Sequence, residues 1–378
     1  MKGIVQMKRI TRFLIWLSFT GGIGLSGVMG VDAAPSEELR QVIEGAQKEG
    51  TVTVQLLSNF TQKSMSRLEQ EIKGKFGVSL KIKFVPSMNF GKSLTKVIME
   101  NKAGAVPSED LVSLSNHIAR ANEAGVVEQV EWSKILIEGT NPEVVLDTPL
   151  VRGGIVYFTG HLGLIYNPEK IKAGEVPRNM ADLADPRWKN KGGVTGSQNS
   201  YVRWAFVLGK EKMFNALRDT LKNGVIQGRY PDLLNRYVLG EVSWILITSA
   251  FLKSAQDKGV PAAWQSLDLS DVSDFAAVVI KGAAHPNAAK LIALYLASPQ
   301  GAKFVLEEGG AGNAYYPGNY EHDIRMQDRK QGIPESFGTR DTKILEFSVS
   351  KEGSNWIKEV RLMQQSGGTS GAGSKKKK

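Results

Sequence analysis

Apolar and polar positions along this chain fall into two alternating rhythms. Thr51 to Leu57 is a β-branched, apolar run between Gly50 and Ser58, the pattern of a buried strand. Before it, Ser36 to Lys48 reads as a helix capped by Ser36 and stopped by Gly50. After it, Met65, Leu68, Ile72 and Phe76 recur at helical spacing up to Gly77. Leu80, Ile82 and Phe84 then alternate with Lys81 and Lys83, which predicts a second strand. Leu94, Val97 and Ile98 mark another helix, and Leu111–Leu114 a third short strand. Strand, helix, strand, helix, strand with short links predicts parallel βαβ units with right-handed crossovers, an α/β fold.

A second α/β segment begins near residue 150. Ile155–Phe158 and Leu162–Tyr166 make a strand-rich stretch. Val194 leads into polar Thr195–Tyr201 and a helix over Val202–Leu208. Gly240–Ile247 reads as a strand ending in Thr248-Ser249. Further on, His285-Pro286-Asn287 opens an apolar helix. Ser298 and Pro299 occupy the N-cap and first position of the next, which ends at Gly309-Gly310. A last helix is expected over Ser354–Met363.

Small hydrogen-bonding residues recur directly after the strands. They are Ser58 and Asn59; Ser87, Asn89, Phe90 and Gly91; Ser115 and Asn116; Ser197, Asn199, Ser200 and Tyr201; Thr248 and Ser249. In open α/β sheets ligands bind in the crevice at the carboxyl ends of strands, where helix N-termini and hydroxyls hold polar groups. Each of these residues taken singly also suits an ordinary cap or turn. Arg203 and Lys92 would add positive charge there or remain solvated helix charges. Tyr201, Trp204 and Trp244 would stack on a ligand or belong to the core.

The chain opens with Lys2, Lys8, Arg9 and Arg12 and an apolar, glycine-rich run from Phe13 to Met29. Val31-Asp32-Ala33 follows as a small-x-small pattern, so residues 1–33 read as a secretory signal peptide. A membrane anchor is the competing reading. Cysteine is absent, so an exported chain has no disulfide and no lipoprotein anchor, and its core must suffice alone. The periplasm is the expected location. About 345 residues would remain after cleavage, enough for two lobes. Of the net charge of +10, residues 1–33 carry +3 and Lys375–Lys378 carry +4, leaving +3 for residues 34–374. So balanced a body offers no basis for nucleic-acid binding. The Gly/Ser-rich stretch 366–378 with its four lysines reads as a disordered tail.

Enzyme chemistry finds little support. His117, His161, His285 and His322 show no zinc-site spacing, and no Gly-x-Ser-x-Gly elbow occurs. A Gly-x-Gly-x-x-Gly match, Gly22–Gly27, falls inside the leader. Glu307-Glu308 on a helix would point apart.

Several segments together resemble the extracellular solute-binding proteins of ABC importers, in the branch that includes the ferric-ion-binding proteins. They are Gly163–Lys170, Met180–Lys189, Gly240-Glu-Val, Ile280–Lys290 and Leu296–Gly301. The resemblance implies a two-lobed, type II periplasmic binding fold, each lobe a mixed, mostly parallel sheet flanked by helices. Lobe 1 would hold residues 34–155 and 276–316, and lobe 2 residues 156–275 and 317–365. Hinge crossovers near 152–166, 266–277 and 314–320 would join them. It further implies a monomer that closes over a small-molecule ligand and delivers it to permease subunits in the inner membrane. Iron carriers of this branch use an adjacent tyrosine pair after the Gly-Glu-Val strand; here that place reads Thr248-Ser249-Ala250-Phe251. Tyr315-Tyr316 lines up instead with a segment at the late crossover. The expected cargo is therefore a small organic or phosphorus-containing anion, with no metal, cofactor or catalytic residue. An iron(III) carrier, or an enzyme or sensor on the same fold, are the alternatives.

Overall fold

The computed structural model describes residues 35–87 and 89–367. The leader read in residues 1–33 and the tail beyond Gly367 lie outside the described residues.

The first elements form where the local pattern asks for them. Helix α1 (Glu37–Glu49) begins at Ser36, whose Oγ accepts the Leu39 N–H at 3.1 Å, and ends at Gly50 with φ 62°. Strand β1 (Thr51–Leu57) follows, then α2 (Gln62–Phe76), opened by a reciprocal Thr61/Ser64 capping box. Next come β2 (Lys81–Ser87), α3 (Phe90–Lys102), β3 (Leu111–Leu114), α4 (Ile118–Glu123) and the short β4 (Val145–Leu146).

Strand β5 (Gly154–Tyr166) joins the two strand segments expected over 155–166 into one element of 13 residues. The chain continues through β6 (Gly192–Thr195), α5 (Gln198–Leu208), α6 (Lys210–Lys222), β7 (Ile226–Gly228), α7 (Tyr230–Val238) and β8 (Trp244–Thr248). It then forms α8 (Leu252–Asp257), β9 (Ala263–Gln265) and the long β10 (Ser270–Val279). Helices α9 (Pro286–Ala297) and α10 (Pro299–Gly309) meet at Ser298, whose Oγ accepts the Gly301 N–H at 3.1 Å. The C-terminal elements are α11 (Tyr320–Gln331), β11 (Glu335–Phe337), α12 (Thr342–Val349) and α13 (Lys351–Gln365). The sequence reading left α6, α7, α11 and α12 unassigned, and α13 is longer than expected.

The strands make one mixed sheet in the order β2-β1-β3-β10-β5-β8-β6-β7. Its outer groups, β2-β1-β3 and β8-β6-β7, pair in parallel. In the middle, β3-β10, β10-β5 and β5-β8 pair antiparallel. Both long strands therefore run from one outer group toward the other. β5 pairs with β10 from Gly154 to Leu162 and with β8 from Leu162 to Tyr166.

The apolar interior follows the same division. One core gathers side chains from 39 to 158 and from 276 to 345. A second joins Leu162 and Leu164 to α5, α6 and α13, and a third joins Ile165 to α7 and β8. Along β5 the apolar run is broken between Phe158 and Leu162 by Thr159, Gly160 and His161. On β10, Ser273 and Asp274 lie opposite Gly160 and Thr159, and Asp271 lies opposite Leu162. The long strands thus have a polar waist between greasy ends, and that waist positions the site.

Candidate functional site

At the waist lies a cavity of about 390 Å³, where the carboxyl ends of β1, β3, β6 and β8 converge. A hollow of about 430 Å³ over Gln70, Glu71, Lys75 and Gln300 is an open surface depression, away from the strand ends. The cavity walls come from both outer strand groups. Asn59, Ser115, Asn116 and His117 contribute from one; Ser197, Asn199, Ser200, Arg203 and Thr248 from the other. Phe90, Phe158, Phe275, Tyr230 and Phe251 supply rings, and Gly160 and Ser273 lie on the long strands. No aspartate or glutamate lines it among the described residues.

Of the strand-end residues picked from the sequence, Asn59, Phe90, Ser115, Asn116, Ser197, Asn199, Ser200 and Thr248 meet at this cavity. The others serve the fold. Ser58 is exposed in the turn after β1. Asn89 caps α3, accepting the Lys92 N–H at 3.0 Å, and Ser87 bonds Ser93 and accepts the Asn89 N–H. Gly91 sits in the first turn of α3 against the His117 ring. Tyr201 is buried, its hydroxyl donating to the Thr195 carbonyl at 2.8 Å. Ser249 is buried behind Thr248, where its hydroxyl donates to Glu321 and accepts the His161 N–H. Trp204 and Trp244 are core residues, and Lys92 is exposed outside the lining.

Each polar wall has a local cause. Gly160 lets β8 approach closely, since a Cβ there would sit 2.7 Å from the Thr248 hydroxyl. Asn59 is steadied by its Nδ2–H donating to the Gly309 carbonyl at 3.1 Å. Ser115 donates to the backbone of Asp274 at 2.8 Å, tying β3 to β10. Helix α5 begins at the cavity with Ser197. That side chain makes no cap bond but pairs with Ser200 Oγ at 3.1 Å, and the first turn holds no acid. The positive end of the α5 dipole therefore meets the cavity unneutralised by a side-chain carboxylate of its own first turn.

Arg203 lines the cavity, but its charge is compensated. Its Nη2 and Nε (3.1 Å) donate to Asp271 Oδ2, which also accepts the Trp204 Nε1–H at 2.8 Å. Burial pushes the His117 imidazole below its ordinary pKa, and the charge of Arg120 adds to this, so His117 is held neutral. Burial pushes the Tyr230 phenol up against the opposing effects of Ser200, Arg203 and Thr195, keeping it a proton donor.

His161 lines the cavity from β5; it is fully buried and its Nδ1 lies 2.5 Å from Glu321 on α11. Asp274 holds a second cluster, accepting from Tyr315, Thr339 and Arg340. The tyrosine pair is thereby spent in the fold. Tyr315 donates to Asp274 at 2.6 Å, and Tyr316 donates to the Ala297 carbonyl at 2.5 Å. Burial raises both phenols, Tyr316 to about 12. Among the described residues no group of three or more His, Cys, Asp or Glu side chains is placed to hold a metal ion.

Apart from Phe90, sequence reasoning missed the rings. Phe158 and Phe275 lie within strands, where no end signal marks them. Tyr230 follows β7, a three-residue strand too short to show a period.

Parallel outer strands, two antiparallel crossing strands and a strand-end cavity define the class: a two-lobed α/β binding protein of the type II periplasmic kind. The chain belongs to the bacterial extracellular solute-binding protein family, whose sequence profile matches residues 67–320. Among solved structures it is similar to the spermidine/putrescine ABC transporter substrate-binding protein PotD of Streptococcus pneumoniae. That match has 14% identity and TM-score 0.66, covering 84% of this chain and 99% of that one. It is also similar to the periplasmic binding protein AfuA of Actinobacillus pleuropneumoniae, solved with fructose-6-phosphate (16%, TM-score 0.60, covering 84% and 99%). A third is the apo ferric ion-binding protein A of Pasteurella haemolytica (15%, TM-score 0.59, covering 84% and 98%). At such identities the likeness is one of fold. A search of curated proteins gives no match.

Proposed function

We propose that this protein is the periplasmic binding component of an ABC uptake system. It captures a small organic or phosphorus-containing anion in the waist cavity and hands it to permease subunits in the inner membrane, acting as a monomer and without turnover. The observation that carries the anion is the lining. Hydroxyls and amides from several strand ends and the N-terminus of α5 converge on a space that, among the described residues, no carboxylate lines. A polycation would find no counter-charge in that wall, and an iron ion would find Tyr315 and Tyr316 already engaged.

The lobes divide, in this reading, into 34–155 with 276–316 and 156–275 with 317–365. The polar waist of β5 and β10 and the separation of the cores favour the division, although Leu345, assigned to the second lobe, packs in the first core. Bending at that waist would close the walls on the ligand. For location, the family is extracellular and, among the described residues, no helix is long and apolar enough to cross a membrane.

Thermal unfolding of the protein against phosphate, phosphonates, small carboxylates, ferric complexes, polyamines and sugars tests the proposal. A ligand that binds only the folded state stabilises by about 2.7 kcal/mol at a hundredfold excess over Kd. In a chain of this length that raises Tm by roughly a few degrees. A rise with an organic or phosphorus-containing anion is the expected result. A rise with Fe(III) or a polyamine alone overturns it.

A further inference from the structure

The cavity holds more ring surface than an anion alone requires. Phe90, Phe275, Tyr230 and Phe251 all line it and all are half-buried. They come in two sets, packed on different cores. Phe275 stacks on Phe158 with ring centroids 4.2 Å apart and planes 8° apart, and Phe90 leans on Phe275 at 5.5 Å. These three pack with the first core. Tyr230 and Phe251 meet edge to face at 6.0 Å and pack on the third core.

A half-buried ring in a concave wall keeps apolar surface in water that a ligand can cover. An inorganic anion or a small hydrophilic one would leave that surface wet and would have to shed its own hydration beside it. A cation would meet ring faces, but among the described residues no carboxylate in the lining. The volume, about 390 Å³, lies at the lower end for small-molecule sites of about 300–1,000 Å³.

We infer that the cargo is an organic anion with a flat, apolar body, of the aryl carboxylate or aryl phosphonate class. The body lies among the two ring sets, and the anionic group lies at the N-terminus of α5 with Ser197 and Ser200. This inference rests on the proposed anion-binding function and narrows it.

Calorimetric titration of the full protein tests it with paired probes: benzoate against acetate, phenylphosphonate against methylphosphonate and inorganic phosphate, and benzylamine as a cationic control. At least one aryl anion is expected to bind roughly tenfold tighter than its small partner. Phe251→Ala and Phe90→Leu should each erase most of that preference, while Tyr230→Phe, which keeps the ring, preserves it. Circular dichroism checks that each variant is folded. Equal affinity for the aryl and small anions overturns the inference and leaves the anion carrier standing. Tighter binding of benzylamine, or binding of no anion in the set, overturns both.

Discussion

The buried charges at the waist show what single residues do here. Asp271 sits at zero exposure and accepts from Arg203 and Trp204 at one oxygen. Such a pair adds little net stability compared with an apolar filling, but removing one partner strands the other. Asp271→Asn is expected to lower unfolding free energy by about 3–5 kcal/mol, read from urea midpoints. An unchanged midpoint would mean that solvent reaches Arg203 freely. The sequence marked Arg203 as a charge near a helix N-terminus but not its partner, 68 residues away and on a strand. The same holds for Ser249. Its type and its place after a strand match those of Thr248, yet the turn into the Ser249–Phe251 3-10 segment leaves it under the wall, bonded to Glu321.

At the scale of elements, capping chemistry was the most legible signal. Ser36, Gly50, Gly77 and Ser298 perform the tasks their types suggest, because a cap involves only residues within three or four positions. Helix α5 is the informative exception. Its N-cap serine leaves the helix end without a side-chain bond, and Ser197 and Ser200 pair with one another instead. If that end receives the anion, Ser197→Ala with Ser200→Ala should weaken binding by roughly tenfold or more, given two lost hydrogen bonds of about 1 kcal/mol each. The melting temperature of the unliganded protein should hardly change. Unchanged affinity would remove α5 from the site. The helices that escaped the sequence reading have clear structural roles. α11 brings Glu321 to His161 beneath the waist, and α12 supplies Leu345 to the first core.

The whole molecule turns on β5 and β10. Each is continuous through the waist, paired to its neighbour by backbone hydrogen bonds, and β10 shifts register between Phe275 and Ala276. Such a shift marks a local bend in a strand. Bending there would bring the α5 wall toward the Asn59 and Asn116 wall, at a point where Ala276 belongs to the first core and Phe275 packs against it. Small-angle scattering of the protein with saturating ligand is expected to give a smaller radius of gyration than without it. An unchanged radius would mean that the cavity takes its ligand with no closure.

What the amino-acid order determined by itself was local. It set the strand cores, the caps, the βαβ sequence of elements and the recurrence of small polar residues after strands. All of these follow from periods and turns a few residues long. The ordered motifs also carried the family. Tertiary structure decided which of those polar residues share one cavity and which are caps or core. It brought together Phe158 and Phe275, 117 positions apart in the chain but neighbours in the β5–β10 ladder. It also spent Tyr315 and Tyr316 on Asp274 and Ala297. The reason is physical: strand pairing and burial act across long loops, and no local period encodes which distant side chain fills the remaining space.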